Sequence, residues 1–143
     1  MLYDKRIWWV TKNDGRYIYI DSKSFKDIDS DIDELCERIK KNKQYQLFVK
    51  YSQNIPVVYL GILYMFNLHY DGAWIDLIVV VEEHRNKGIG RELLKFVENK
   101  VKEKKGTVLT GLVRKDNVSS STMFLNSNFK SSEKDFILYL KDI

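Results

Sequence analysis

A glycine-containing loop near the middle of the chain has the residue types and spacing that best fit a chemical role. The apolar run Val79-Val80-Val81 leads into residues 82–88 and then into an amphipathic helical pattern that starts at Ile89. The start of a helix presents unpaired N–H groups and the positive end of the helix dipole, and both favour a bound phosphate. Gly88 and Gly90 permit a ligand to approach the backbone closely. The segment is therefore predicted to bind an anion.

The distribution of charge along the chain supports the same interpretation. Arg85, Lys87 and Arg91 add positive side chains to the loop. The net charge of the 143-residue chain is +4, and residues 82–105 contain eight Lys or Arg and five Glu, so most of the excess lies here. Residues 1–43 contain ten Lys or Arg and nine Asp or Glu and so form no basic face. We therefore expect no nucleic-acid partner.

The loop resembles the acyl-CoA-binding motif of the GCN5-related N-acetyltransferases (the GNAT family), which is Arg/Gln-x-x-Gly-x-Gly/Ala. Residues 85–90, Arg-Asn-Lys-Gly-Ile-Gly, match it at every fixed position. The family often also shows Asn-x-x-Ala-x-x-Phe-Tyr-x-x-x-Gly-Phe. The chain keeps Asn117 and Phe129 of this second motif but has Phe124 in place of Tyr and Asn128 in place of Gly. The resemblance extends over about residues 45–141.

The resemblance implies a binding site for acetyl-CoA. The loop N–H groups would hold the pyrophosphate, the backbone of residues 79–81 would pair with the pantetheine arm as an added strand would, and Asn117 would reach the pantetheine amide. The residues expected to bind the cofactor are Val79, Val80, Val81, Arg85, Asn86, Lys87, Gly88, Ile89, Gly90, Arg91, Asn117 and Phe124.

Proton transfer during catalysis needs its own residues. The family commonly has a Tyr general acid where Phe124 stands, and Phe has no proton to donate. The thiolate would then leave directly or with help from water, because a free thiol has a pKa near 8.5. Asp76 is the carboxylate best placed to act as the base, since strand alternation puts it on the same side as Ile78 and Val80. The alternative interpretation of Asp76 is an ion-paired or solvent-facing strand residue.

The elements that must position these residues follow from hydrophobic periodicity. Asn13–Arg16 and Asp71-Gly72 are predicted to be hairpin turns, and the run 56–66 is predicted to be a central strand, since it is apolar on both faces. The predicted strands are 7–10, 17–20, 45–51, 56–66, 74–81, 107–113 and 136–140; the predicted helices are about 28–41, 89–101 (stopped by Gly106 as its C′ residue) and 118–127.

This order of elements predicts an α+β fold in a single domain, 1–143, with a mixed, mostly antiparallel sheet and helices on both faces. The GNAT resemblance adds a splayed strand pair that binds acyl-CoA. Trp8, Trp9, Tyr17 and Tyr19 form an aromatic cluster at the first hairpin, interpreted as core or as a homodimer contact.

Composition limits the cellular setting. The single cysteine, Cys36, excludes an internal disulfide, and with only two histidines a metal site is not expected. The longest apolar stretch, Ile55–Phe66, has 12 residues, whereas a membrane span needs about 20. We therefore expect a soluble, cytoplasmic protein without a membrane partner.

The resulting functional prediction is an acyl-CoA-dependent N-acyltransferase. It would transfer acetyl from acetyl-CoA to the primary amine of a small molecule or peptide by direct attack. The alternative is a non-catalytic acyl-CoA-binding module or sensor, which Phe124 and the short N-terminal region both favour.

Overall fold

The computed structural model describes residues 7–11, 17–21, 37, 39, 41–53, 55–68, 70–132, 137 and 139–143. The chain divides into two compact units, Met1–Leu112 and Val113–Ile143. Within the described residues, no helix is long and apolar enough to cross a membrane. The assignment of residues 1–143 to one domain stays a prediction.

The first unit contains two separate groups of paired strands. Strands β1 (Ile7–Thr11) and β2 (Tyr17–Asp21) form the predicted first hairpin. The remaining strands form one sheet in the order β3-β4-β5-β6, in which β3, β4 and β5 are antiparallel and β6 is parallel to β5. Their bounds are β3 Tyr45–Ser52, β4 Ile55–Asn67, β5 Tyr70–Val80 and β6 Val108–Gly111. The predicted mixed, mostly antiparallel sheet is confirmed.

Strand β4 is the buried centre of this sheet, as its two-sided apolar pattern predicted. Val58 and Leu60 are 0% exposed on one side, and Val57 and Tyr59 are 1% exposed on the other. Both faces of the strand are therefore covered, and each large apolar side chain buried here contributes about 1.5–3 kcal/mol to stability.

Helix α1 (Ile89–Glu103) covers one face of the sheet. It buries Leu93, Leu94, Val97 and Val101. The edge of Phe96 meets the ring of Phe48 on β3 at 5.4 Å between centroids. We refer below to this side of the sheet as the α1 face. The predicted helix at 28–41 would be a second helix, but of it only residues 37, 39 and 41 are described, and all three are helical. Cys36 lies outside the described residues, as do the aromatic side chains of the first hairpin.

The end of α1 differs from the prediction by one residue. Lys105, not Gly106, adopts the left-handed conformation, with a φ of 63°. Gly106 follows it and donates its N–H to the carbonyl of Val101 at 2.9 Å, which closes the last turn. Gly106 lacks a side chain because a Cβ there would lie 2.5 Å from Val101 Cγ1 and 3.1 Å from the Cα of Gly72.

The predicted turn at Asp71-Gly72 is wrong. Both residues lie inside β5, because β4 ends at Asn67 and β5 already begins at Tyr70. Gly72 serves close packing instead, because a Cβ at that position would lie 1.8 Å from the carbonyl oxygen of Val108 on β6. The parallel pairing of β5 with β6 therefore requires a glycine at position 72.

The second unit contains helix α2 (Val118–Asn126), as predicted. Phe124 packs edge-on against Phe129 at 4.8 Å, and Asn128 takes the left-handed conformation at the family's glycine position, with a φ of 64°. The predicted last strand, 136–140, falls partly outside the described residues. Its described members, Ile137, Tyr139 and Leu140, are in no strand and are at least 76% exposed, since no described strand pairs with them.

Candidate active site

A β-bulge interrupts β5 at Asp76. Ile62 of β4 pairs with Ile75 and Gly61 pairs with Leu77, so Asp76 has no partner across the ladder. The pairing of β5 with β6 ends at the same point, with Ile75 opposite Gly111. From Asp76 to Val80, the second edge of β5 therefore has no strand partner among the described residues.

The backbone of Val80 faces this open edge. Val81 donates its N–H to the carbonyl of Val57 at 2.9 Å, and Val80 stands opposite Val58. Because neighbouring residues of an antiparallel strand direct their N–H and C=O groups to opposite edges, Val79 and Val81 face β4, whereas Val80 faces away from it. Of the three valines expected to pair with pantetheine, only Val80 has both backbone groups on the open side.

Arg85 lies against the same edge. Its Nε donates a hydrogen bond to the Val80 carbonyl at 3.0 Å. The side chain therefore connects the open edge of β5 to the loop that follows the strand.

The bulge also corrects the predicted side of Asp76. The Asp76 carboxylate accepts a hydrogen bond from the Tyr45 hydroxyl on β3 at 3.0 Å. Tyr45 Oη lies on the face that holds Leu77, because a Cβ at Gly61 would be 1.9 Å from Tyr45 Oη and 3.3 Å from Leu77 Cγ. Ile78 pairs with Leu60 on the other face, so the alternation expected for an unbroken strand fails at Asp76.

Tyr45 spans three strands to make this contact. It starts on β3, passes over Gly61 on β4 and reaches Asp76 on β5. Burial and, after it, the neighbouring Asp76 carboxylate raise the pKa of the Tyr45 hydroxyl above its ordinary value. The hydroxyl therefore stays protonated at neutral pH and donates to Asp76, which is itself exposed.

The sequence interpretation missed Tyr45 and Gly61. The available signal was the lone glycine inside the apolar run of β4, since a glycine in a strand interior often marks a close approach by another group. A second tyrosine of the sheet, Tyr64 on β4, lies on the α1 face: its hydroxyl donates to Gln46 Oε1 at 2.9 Å, and the Lys104 ammonium lies over its ring.

The loop after β5 presents a row of N–H groups. A short 3₁₀ turn at Glu82–His84 is followed by left-handed residues at Asn86 and Gly88, with φ of 60° and 77°. The first hydrogen bond of α1 runs from Glu92 N–H to the Gly88 carbonyl at 3.1 Å. None of the six N–H groups from 86 to 91 donates to a backbone acceptor among the described residues. The arrangement can bind an anion of several oxygens.

The side chains of the loop agree with such a ligand. Arg85, Lys87 and Arg91 are exposed and positively charged, and Gly88 is exposed with no atom within 4 Å of where a Cβ would stand. Gly90, in contrast, is buried in the first turn of α1. No cluster of metal-ligating side chains occurs in the described part of the chain.

Asn117 and Phe124 belong to the second unit. The Asn117 side-chain oxygen accepts the Ser120 N–H at 3.1 Å and so caps α2. This leaves the two N–H donors of its amide for a ligand. Phe124 is 9% exposed and serves packing against Phe129 within its own unit.

Comparisons with known proteins agree with this architecture. The family model described as the acetyltransferase (GNAT) domain matches residues 13–137. None of the curated protein sequences matches the chain significantly.

Three solved structures illustrate the likeness in fold. The aminoglycoside antibiotic 6'-N-acetyltransferase AAC(6')-IG from Acinetobacter haemolyticus is 23% identical with a TM-score of 0.66, over 81% of this chain and 84% of that one. AAC(6')-Iy, in complex with the bisubstrate analog CoA-S-monomethyl-acetylneamine, is 16% identical with a TM-score of 0.71, over 85% and 86%. The ribosomal-protein-alanine N-acetyltransferase from Brucella melitensis biovar Abortus 2308 is 13% identical with a TM-score of 0.68, over 82% and 87%.

At these identities the three structures support the fold alone, whereas the family model matches most of the chain. With its mixed sheet and strand–loop–helix motif, the chain belongs to the GNAT family of acetyltransferases.

Proposed function

We propose that the protein transfers the acetyl group of acetyl-CoA to a cationic primary amine. The observation that supports this most directly is the continuity of two features along the chain. The open edge of β5 ends at Val80, and the row of six N–H groups begins at Asn86. One ligand with an amide-containing arm and a pyrophosphate fits both.

Each part of acetyl-CoA has a proposed place on these elements. The pyrophosphate lies against the N–H groups of residues 86–91, near the charges of Lys87 and Arg91. The pantetheine arm pairs with the open edge of β5 as an added strand would. Arg85 already donates to the Val80 carbonyl, which has a second lone pair for a pantetheine amide.

The acetyl transfer follows from groups on β5. The amine nitrogen attacks the thioester carbon, so that a C–N bond forms, the C–S bond breaks and the thiolate leaves. The Val80 N–H faces the open edge and stabilises the negative charge on the carbonyl oxygen. Because Phe124 has no proton to donate, the thiolate leaves without a side-chain acid from that position.

Asp76 is the proposed base. It lies four positions before Val80, a distance of about 13 Å along β5. A carboxylate at that distance receives the ammonium proton through intervening water. Its negative charge also favours approach of a cationic amine.

The acceptor is proposed from the same charge. The name of AAC(6')-IG describes acetylation of an aminoglycoside, and that of the Brucella enzyme describes acetylation of a ribosomal protein. Both acceptors are amines, one on a small molecule and one on a polypeptide. We propose that this chain acts on one of these two kinds of amine. The proposal includes no nucleic-acid or membrane partner for this chain.

A non-catalytic acyl-CoA-binding module is the second candidate, favoured by Phe124. The two are separated by calorimetry with CoA and by a thiol-release assay with acetyl-CoA and a panel of aminoglycosides, polyamines and peptides. The proposal expects CoA binding together with turnover on at least one amine. Binding without turnover on any amine would favour the module, and no binding would reject both.

The base is tested in the same assay with Asp76→Asn. Removal of a general base typically lowers the rate about 10²- to 10⁴-fold. We expect a fall of kcat in that range with CoA affinity within about 2-fold, because Asp76 lies at the bulge of β5, before the loop that is proposed to hold the pyrophosphate. A wild-type kcat would remove Asp76 from the mechanism.

A further inference from the structure

We infer that Tyr45 is a positioning residue for Asp76, and that Gly61 is the opening through which its hydroxyl reaches the carboxylate. The inference rests on the proposed function, because it assigns Tyr45 a role through the proposed base. It concerns a residue outside the loop and second-motif positions that the family resemblance identified.

The geometry at the bulge shows why Asp76 needs a second group to hold it. A bulged residue has no ladder partner, and its side chain is exposed in a part of the strand where the alternation is broken. The Tyr45 hydroxyl is the hydrogen-bond donor that the structure places on the Asp76 carboxylate. The tyrosine is itself fixed by its position on β3, opposite Leu63.

Gly61 makes this contact sterically feasible. A Cβ at position 61 would lie 1.9 Å from Tyr45 Oη and 2.7 Å from Cζ, so any side chain there would displace the hydroxyl. The other residues from 56 to 64 all have side chains, and all of these except the half-buried Leu63 are buried. The one residue of this stretch without a side chain, Gly61, therefore lies where the Tyr45 side chain passes over β4 to reach Asp76.

The direction of the hydrogen bond fits a base. A protonated phenol donates to a carboxylate and leaves the other carboxylate oxygen for the proton acceptor role. The raised pKa of Tyr45 keeps that phenol protonated at the pH of an assay. Tyr45 thus fixes the direction of the second oxygen without exchanging a proton itself.

The test is a double-mutant cycle of Tyr45→Phe and Asp76→Asn, measured by thiol release with acetyl-CoA varied at saturating amine, so that kcat and the KM for acetyl-CoA are both obtained. Tyr45→Phe keeps the ring and removes only the hydroxyl. We expect kcat to fall about 10-fold, the scale of one hydrogen bond to a charged group, with the KM for acetyl-CoA unchanged. In the Asp76→Asn background, Tyr45→Phe should cause no further loss, because the carboxylate that it positions is gone.

Tyr64→Phe is the matched control. It also removes a tyrosine hydroxyl that is bonded to a side chain across the sheet, but on the α1 face and to Gln46. We expect its kcat to equal that of the wild type. Gly61→Ala is a second variant that displaces the Tyr45 hydroxyl from the neighbouring strand, and it should reproduce the loss of kcat seen in Tyr45→Phe.

The outcomes separate this inference from the function on which it rests. A wild-type kcat in Tyr45→Phe together with a damaged Asp76→Asn would overturn the positioning role and leave the base in place. Losses that multiply in the double variant would show that Tyr45 acts independently of Asp76, and would also overturn it. A wild-type kcat in Asp76→Asn would reject both the base and the positioning residue, with acetyl transfer itself unaffected.

Discussion

The charge of the proposed pyrophosphate site can be probed with one pair of substitutions at Gly88. Asn and Asp have nearly the same shape, and both tolerate the left-handed conformation that Gly88 adopts with a φ of 77°. No atom lies within 4 Å of the Cβ position, so either side chain fits in the absence of a ligand. Comparison of Gly88→Asn with the wild type measures the effect of bulk, and comparison of Gly88→Asp with Gly88→Asn measures the effect of charge.

The size of the charge effect follows from the exposure of the loop. Two unit charges 4 Å apart interact by about 1 kcal/mol in water and about 4 kcal/mol at the effective dielectric constant of a protein surface. Gly88 is exposed, which favours the lower part of that range. We expect Gly88→Asp to bind CoA about 10- to 100-fold more weakly than Gly88→Asn, which corresponds to about 1.4–2.8 kcal/mol.

Isothermal titration calorimetry with CoA at low and high salt measures both effects. At about 1 M salt the Debye length falls to about 3 Å, so the difference between Asp and Asn should shrink while the cost of bulk stays the same. Melting temperatures of the three proteins in the absence of CoA are the control for folding. Equal CoA affinity of the Asp and Asn variants at low salt would refute a pyrophosphate bound at this helix start.

Two further predictions concern stability. Lys105→Gly should raise the melting temperature by about 2–4 °C in calorimetry, because Lys105 pays about 1 kcal/mol for a φ of 63°; an unchanged or lower value would contradict this. Because the folded pKa of Tyr45 is raised, the folded protein retains a proton that the unfolded chain loses above pH 10. The free energy of unfolding should therefore fall as the pH rises above about 10, and Tyr45 contributes at most about 1.4 kcal/mol per pH unit to this fall. Urea unfolding measured across this pH range should show a shallower fall in Tyr45→Phe, which lacks the hydroxyl.

Much of the sheet, and of the loop that is proposed to bind the pyrophosphate, followed from the sequence because both depend on local patterns. The buried run from Pro56 made β4 recognisable as a central strand, and the stripe of Leu93, Val97 and Val101 made α1 recognisable as a helix. One prediction was wrong because a glycine can serve either in a turn or where two backbones pack closely. Gly72 was assigned to a turn, but the structure uses it where β5 approaches β6, and such a distant partner leaves no trace in the local sequence.

The surroundings of Asp76 were beyond sequence reasoning for a related reason. The alternation of a strand predicts which side each residue faces only while the ladder is unbroken. A bulge depends on the register between β4 and β5, and that register is set by the pairing of Gly61 with Leu77, 16 residues apart in the chain. The contact from Tyr45, on a third strand, is more distant still.

The bulge at Asp76 links the two halves of the proposed chemistry. Before it, β5 is held on both edges, by β4 and by β6; after it, only β4 remains, and the edge that includes Val80 opens. The same irregularity releases Asp76 from the ladder and lets its carboxylate meet Tyr45. A β-bulge bends the strand and increases its local twist, and the pairing of β5 with β6 ends directly before this bulge. A single extra residue in β5 therefore accounts for both the opening of the proposed cofactor slot and the exposure of the proposed base beside it.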